Sequence, residues 1–256
     1  MARGLFMFEV TLQLAALLIL AAFVAGFVDS IAGGGGLITV PVLLLAGANP
    51  LEALSTNKVQ GSFGAATAAF TYARAGHVNL RRQLPAAGVA FVAGVAGALL
   101  ASVLPTAFLR QLLPVVLIAI ALFFAFKPGL TDADRIARLS PVAFTAMIVP
   151  LIGGYDGLVG PGAGAFYMIG LVMLAGYGVL KATAHTKLLN FASNFGGLLA
   201  FAATGAPWWF IGIAMGLAQV AGAALGARLA MRIGARLIKP LLVATSTLLA
   251  LRLLWG

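Results

Sequence analysis

Apolar runs of about 20 residues recur from one end of this chain to the other, and no other feature restricts its fold so severely. Ten such segments can be read, at roughly 10–29, 35–48, 53–75, 84–104, 108–127, 140–157, 162–178, 182–205, 208–230 and 236–255. With 62% apolar and only 9% charged residues, a chain of 256 residues cannot cover a soluble domain with a charged surface. A transmembrane barrel would show short alternating segments of about 10 residues, and these are absent. The sequence therefore predicts an all-α, polytopic integral membrane protein, residues 1–256 forming one domain in a lipid bilayer. The first run is read as a membrane segment and not as a cleaved leader, because its end is copied later in the chain.

The copy is internal. GFVDSIAGGGG at 26–36 matches GGYDGLVGPGA at 153–163, placing Asp29 over Asp156. STNKVQGS at 55–62 matches AHTKLLNF at 184–191, placing Lys58 over Lys187. Gly76 falls on Gly205, VAGALLA at 95–101 on VAGAALG at 220–226, and Pro114 on Pro240, all in the same order. Shared Gly/Ala richness does not explain the paired Asp and Lys. Two five-segment repeats follow, at 10–127 and 140–255, joined by a polar connector at 128–139. Five crossings per copy is odd, so the second copy enters the membrane from the opposite side, as in many secondary transporters.

Charge tests this count. The formal charge of +10 sits in short gaps between apolar runs, which marks membrane topology and not nucleic-acid binding. Ten crossings place Arg74, Arg81, Arg82, Lys127, Arg135, Arg138, Lys181, Arg228, Arg232, Arg236 and Lys239 on one side. Arg3, Arg110 and Arg252 fall on the other. Eleven against three is a strong positive-inside bias, whereas treating segments two and seven as re-entrant gives eight against six. Both termini are expected outside a cell membrane, the inner membrane of a prokaryote. Segments two and seven are short and glycine-led, so half-helices also fit them.

Four consecutive glycines, Gly33 to Gly36, do not make a stable helix, since each costs about 1 kcal/mol relative to alanine. They open one, as Gly160, Gly162 and Gly164 do in the second copy. Free N–H groups and the positive end of the helix dipole there suit an anion, while close helix packing is the plainer role for such glycines. Asp29 and Asp156 precede these starts as helix caps or as proton-coupling carboxylates. Lys58, with Thr56, Asn57 and Gln60, and Lys187, with His185, Thr186, Asn190, Ser193 and Asn194, form polar clusters inside apolar sequence. Snorkelling to the interface is the ordinary fate of such a lysine. Its recurrence, and the stripe Lys187, Asn190, Asn194 on one helix face, favour a cavity instead. The candidate substrate site is thus Gly33–Gly36, Thr56, Asn57, Lys58, Gly160, Gly162, Gly164, His185, Thr186, Lys187, Asn190 and Asn194. Lysine-to-alanine variants at 58 and 187 are expected to lose anion binding while staying folded. Whether Lys58 contacts the anion or pairs with Asp29 stays open at this point. Neither metal nor cofactor is expected, and the absence of cysteine excludes thiolate ligands. Gly212, Gly216, Gly222 and Gly226 suit helix packing or the face of a homodimer, and Trp208 and Trp209 an interfacial belt.

The stretch GFVDSIAGGGGLITVPVLL…NPLEALSTNKV, answered by GGYDGLVGPGAG…KATAHTKLLNFASN, resembles the TauE/SafE family of membrane transporters, the sulfite exporters. The resemblance covers nearly the whole chain. It implies a secondary transporter that exports a small sulfur-containing anion such as sulfite or an organosulfonate. A passive anion channel is the alternative. An intramembrane aspartyl protease using Asp29 and Asp156 is weaker, because its Gly-x-Gly-Asp motif is missing and the lysines would be unexplained.

Overall fold

The computed structural model describes residues 11–109, 111, 115, 132–204, 207–234 and 236. Among these the chain is all-helical, with eight principal helices. They are α1 (Leu12–Ala32), α2 (Gly36–Leu45), α3 (Pro50–Arg74), α4 (Leu80–Val103), α5 (Pro141–Leu158), α6 (Ala163–Met173), α7 (Val179–Thr204) and α8 (Trp209–Ile233). α5 carries a π-helical stretch over Phe144–Ile148. α1, α4, α5 and α8 are long and apolar enough to cross a membrane. Segments five and ten, at 108–127 and 236–255, lie almost wholly outside the described residues, as do Pro114, Gly205 and Pro240.

Local sequence sets the helix ends. Asn49 and Glu52 form a reciprocal capping box at the start of α3, with Pro50 in the first turn, where its missing N–H is harmless. Asn79 caps α4 and Ser140 caps α5 through their side-chain oxygens. At the two glycine motifs the chain turns sharply. Gly33 and Gly34 have φ of 76° and 102°, Gly160 and Gly162 of 94° and 84°, values that only glycine adopts without strain.

After each turn the chain doubles back. Gly35 packs on the Ala25 carbonyl, and Val40 and Leu43 join Leu18 and Ala22 in one buried cluster, so α2 runs back along α1. Likewise Gly170 packs on Phe144 and Ile148 while the Tyr167 hydroxyl donates to the Val149 carbonyl, so α6 runs back along α5. With 10 and 11 residues, α2 and α6 are only about 15 Å long, half a hydrocarbon core of about 30 Å. These two segments are half-helices. Each nonetheless returns the chain towards the end at which the preceding helix began.

Helix directions follow from the packing. α1, α3 and α8 run one way, since Gly222 faces Phe23 and Phe27, Gly226 faces Phe27 and Ser30, and Gly216 faces Phe63. α4, α5 and α7 run the other way, together: Gly153 faces Ala90 while Gly157 faces Gly94 and Ala98, and Gln83 bonds the His185 carbonyl while Gly94 faces Ser193. Gly61 against Asn194 and Gly197 against Lys58 make α3 and α7 antiparallel. One end of the bundle therefore gathers Arg74, Arg81, Arg82, Lys181, Arg228 and Arg232. The connector docks there too, Arg135 N–H donating to Gly176 O at 2.7 Å, and the Asp134 carboxylate accepting from Gly178 N–H and Lys181, each at 2.7 Å. The Lys181 hydrogen bond holds the Asp134 carboxyl below the usual carboxylate range.

The glycines of α8 are not a dimer face. Gly212 and Gly216 are buried against α3, and Gly222 and Gly226 against α1, within the same chain. A β-carbon on Gly222 would press on the Phe23 carbonyl and lie 3.0 Å from the Phe27 amide nitrogen, forcing two backbones apart. Gly222→Ala is expected to cost about 1–3 kcal/mol. Gly88, exposed on α4 with nothing within 4 Å of a β-carbon, is the control. Gly88→Ala should gain about 0.5–1 kcal/mol. Thermal unfolding in detergent, giving opposite shifts in Tm, checks the pair.

Candidate functional site

The two glycine turns enter from opposite ends and meet. Gly33 abuts Gly164 and Ala165, and Gly36 abuts Pro161. Around this junction is a cavity of about 20 Å³, room for a single water-sized sphere. Gly34, Gly35, Gly36, Asn57, Gly160, Gly162, Gly164, Asn190 and Asn194 line it, as do Asp29 and Asp156.

The two aspartates of the wall are paired crosswise with lysines behind it, Lys58, Lys187 and Asp156 being buried and Asp29 partly exposed. Lys58 Nζ meets Asp156 Oδ1 at 2.6 Å and also donates to the Asp156 carbonyl, with both side chains essentially inaccessible. Lys187 Nζ lies 3.6 Å from Asp29 Oδ2 and donates to the Asp29 carbonyl. Lys58 thus pairs with Asp156 and not with Asp29. The reason is helix direction: α7 runs antiparallel to α3 and delivers its own lysine to α1. A β-carbon on Gly160 would lie 2.8 Å from Lys58 Nζ, so that glycine leaves the space the ammonium fills.

The aspartates differ in their remaining bonds. Asp29 Oδ1 accepts from Gly34 and Gly35 N–H, both at 3.0 Å, and so caps the start of α2 from outside the helix. Asp156 Oδ2 instead accepts from the Ser193 hydroxyl and from Asn194 Nδ2, the latter at 3.0 Å. Each carboxylate is satisfied by a lysine and by neutral donors, the arrangement a buried charge requires.

What faces the cavity is donor-rich. Asn57 Oδ1 accepts from the Thr39 hydroxyl at 2.7 Å and from Gln60 Nε2 at 3.3 Å, which leaves the Asn57 amino group towards Gly36. Asn190 Oδ1 accepts from Asn194 Nδ2 at 3.1 Å, which leaves its amino group towards Gly164. The N–H groups of Gly36 and Gly164, at the first turns of α2 and α6, have no acceptor among the described residues. Two amide side chains and two helix starts thus present N–H groups to one small space.

Several expected site residues stand elsewhere. Gly33 packs at the junction without lining the cavity. Thr56 Oγ1 accepts from Trp208 N–H at 2.9 Å and ties α3 to the start of α8. Thr186 is buried, and its hydroxyl has no partner among the described residues. His185 faces another cavity, its Nδ1 bonded to the Lys181 carbonyl at 2.9 Å. Lys58 and Lys187 lie one layer back, within their ion pairs. Conversely, Gln219 lines the cavity and donates to Gln60 Oε1 at 3.0 Å. Its signal was a lone amide in the apolar segment 208–230. Gly61 and Ala163 line the cavity too, with no chemical signal in the sequence.

This geometry alters the outcome expected for the lysine variants. Removing one partner leaves an unpaired buried carboxylate, a loss of about 3–5 kcal/mol. Lys58→Ala should therefore lower Tm sharply and not leave the fold untouched. Adding Asp156→Asn should restore most of it, with coupling read from the double-mutant cycle. Additive losses would show the two groups to be independent.

The comparisons with known proteins can now be set beside this site. The profile of the family described as "Sulfite exporter TauE/SafE" matches residues 18–253. A probable membrane transporter protein, ORF9 of Sinorhizobium sp, is 55% identical over 246 residues, covering 96% of this chain and 94% of that protein. The probable membrane transporter protein YfcA of Escherichia coli K12 is 41% identical over 249 residues, 97% and 93% of the two chains. One from Haemophilus influenzae is 38% identical over 247 residues, 96% and 97%. No solved structure gives a significant match. A family match over nearly the whole chain, with relatives 38–55% identical over nearly their whole length, shows that this chain belongs to the TauE/SafE family of membrane transporters.

Proposed function

We propose that this transporter is a secondary carrier that exports a small sulfur-containing anion, such as sulfite or an organosulfonate, across a prokaryotic inner membrane. The observation that carries the reading is the meeting of two half-helix starts whose free N–H groups, with the Asn57 and Asn190 amino groups, face one cavity. An oxyanion with three oxygens accepts from all of them, and the dipoles of α2 and α6 favour its charge. The two Lys–Asp pairs cancel each other and leave the site neutral. Lys58 and Lys187 act in substrate binding by fixing the aspartates and the glycine turns against the cavity, with Thr56 and Thr186 beside them.

At about 20 Å³ the cavity is smaller than sulfite, so the anion enters when the halves separate. The two five-segment groups, 10–127 and 140–255, are inverted repeats that rock about the glycine junction in alternating access. No nucleotide-binding motif exists, so an ion gradient, the membrane potential or the substrate gradient drives the step. The end bearing Arg74, Arg81, Arg82 and Lys181 is cytoplasmic by the positive-inside rule, which puts both termini outside. The chain performs no catalysis in this reading, since each aspartate is engaged by a lysine and not by the other aspartate.

Sulfite labelled with ³⁵S in proteoliposomes tests the substrate. Flux should saturate without unitary currents, and such currents would instead mean a channel. Asn57→Ala and Asn190→Ala should each weaken sulfite binding about tenfold, the worth of a hydrogen bond to a charged group. An unchanged affinity in the double variant would overturn the site. For topology, cysteines replacing Arg81 and Arg232, in a chain with no native cysteine, should both resist an external impermeant thiol reagent. Labelling of only one would break the proposed sidedness.

A further inference from the structure

A second cavity, of about 510 Å³, opens at the basic end, between the start of α4, the start of α5 and the turn from α6 to α7. Its polar lining is Asn79, Arg82, Gln83, Thr145, Tyr177 and His185, without a carboxylate. Arg82 has no ion-pair partner among the described residues. Asn79 spends its oxygen capping Arg82 N–H at 3.2 Å, which leaves its amino group as the free end. Gln83 Nε2 donates to the His185 carbonyl at 2.6 Å, which fixes Oε1 as a buried acceptor with no partner among the described residues. That orphaned oxygen calls for a polar occupant, one that carries or brings a proton donor, and not for lipid. Asp134, the nearest carboxylate to His185 among its electrostatic neighbours, is held by Lys181 at 2.7 Å and so is already compensated.

The position matters as much as the lining. His185 precedes Asn190 on α7 by five residues, so this cavity and the central one are about 8 Å apart along one helix. Leu171 and Leu189 add buried apolar side chains to its lining. A guanidinium at a wide mouth, then a small cage of N–H donors, is a graded path for an anion.

We infer that this cavity is an outer capture site for a small sulfonate or related oxyanion, recognised by Arg82 and the Asn79 amino group, with Gln83 Oε1 accepting from a water that the anion brings, from which the anion passes to the central cavity. The inference rests on the transport reading only for the identity of the anion that moves on.

The absence of native cysteine allows a test that needs no transport. Thr145→Cys places a thiol in the cavity wall, and Ile136→Cys places one on the exposed connector, among the same basic residues but outside any cavity. Each is labelled with a sulfonate-bearing methanethiosulfonate and with its trimethylammonium counterpart, both rates being normalised to a free thiol. At Thr145→Cys the anionic reagent should be favoured about tenfold more than at Ile136→Cys, since one nearby charge acts with opposite sign on the two reagents. Arg82→Gln should bring that preference down to the Ile136 level, and Arg82→Lys should keep most of it. Millimolar ethanesulfonate should slow labelling at Thr145→Cys only while residue 82 is cationic. Equal preference at both positions, or a preference indifferent to Arg82→Gln, would overturn the site. Loss of sulfite flux with labelling intact would instead refute the choice of transported anion.

Discussion

A charge buried in a membrane protein must be neutralised by a partner, and in this chain each half holds the partner that the other half needs. Lys58 neutralises Asp156, and Lys187 neutralises Asp29. Neither half could bury its own charges without the other. The direction of α7 against α3, the close glycine contacts between helices and the meeting of the two turns all serve to bring these four groups to one depth. Once placed, the aspartates define the cavity. Asp29 holds the start of α2 open by taking two N–H groups, and Asp156 is fixed by Lys58, Ser193 and Asn194 at the edge of the α6 turn.

The half-helices are what make a binding site of this arrangement. A continuous helix would have satisfied its N–H groups internally and offered nothing to a ligand in the bilayer. Breaking the chain at Gly33–Gly35 and at Gly160–Gly162 exposes first-turn N–H groups at mid-bundle, and positive φ at these glycines makes the break possible. In the proposed function an anion meets neutral donors and helix ends, while each aspartate of the wall stays engaged by a lysine. Such a cage suits an anion that must also leave, because no unpaired cation holds it.

Much of this was legible in the residues. The apolar runs gave the class, the glycine motifs gave the breaks, and the repeated Asp and Lys marked the interior. Asn57, Asn190 and Asn194 stood out as polar side chains in apolar sequence, and all three line the cavity. The pairing was not legible, because sequence spacing fixes which residues share a helix face but not which helix lies opposite. Nothing in STNKVQ distinguishes Asp29, 29 residues away, from Asp156, 98 residues away. His185 misled for a related reason. Its position beside Thr186 and Lys187 suggested the same site, yet neighbouring residues on a helix point about 100° apart, and His185 faces the outer cavity. Thr56 reads as polar lining and serves instead as a tie to Trp208.

The crosswise pairs also bear on how the chain is made. Asp29 and Lys58 leave the ribosome before either partner exists, and Asp156 follows Lys58 by 98 residues. At roughly 5–20 residues per second, that interval is about 5–20 s. During it Asp29 and Lys58 are without the partners they hold in the finished structure. The native pairs form only as the second half arrives. Biogenesis of this bundle therefore passes through a half-length stage at which Asp29 and Lys58 still await the residues that neutralise them.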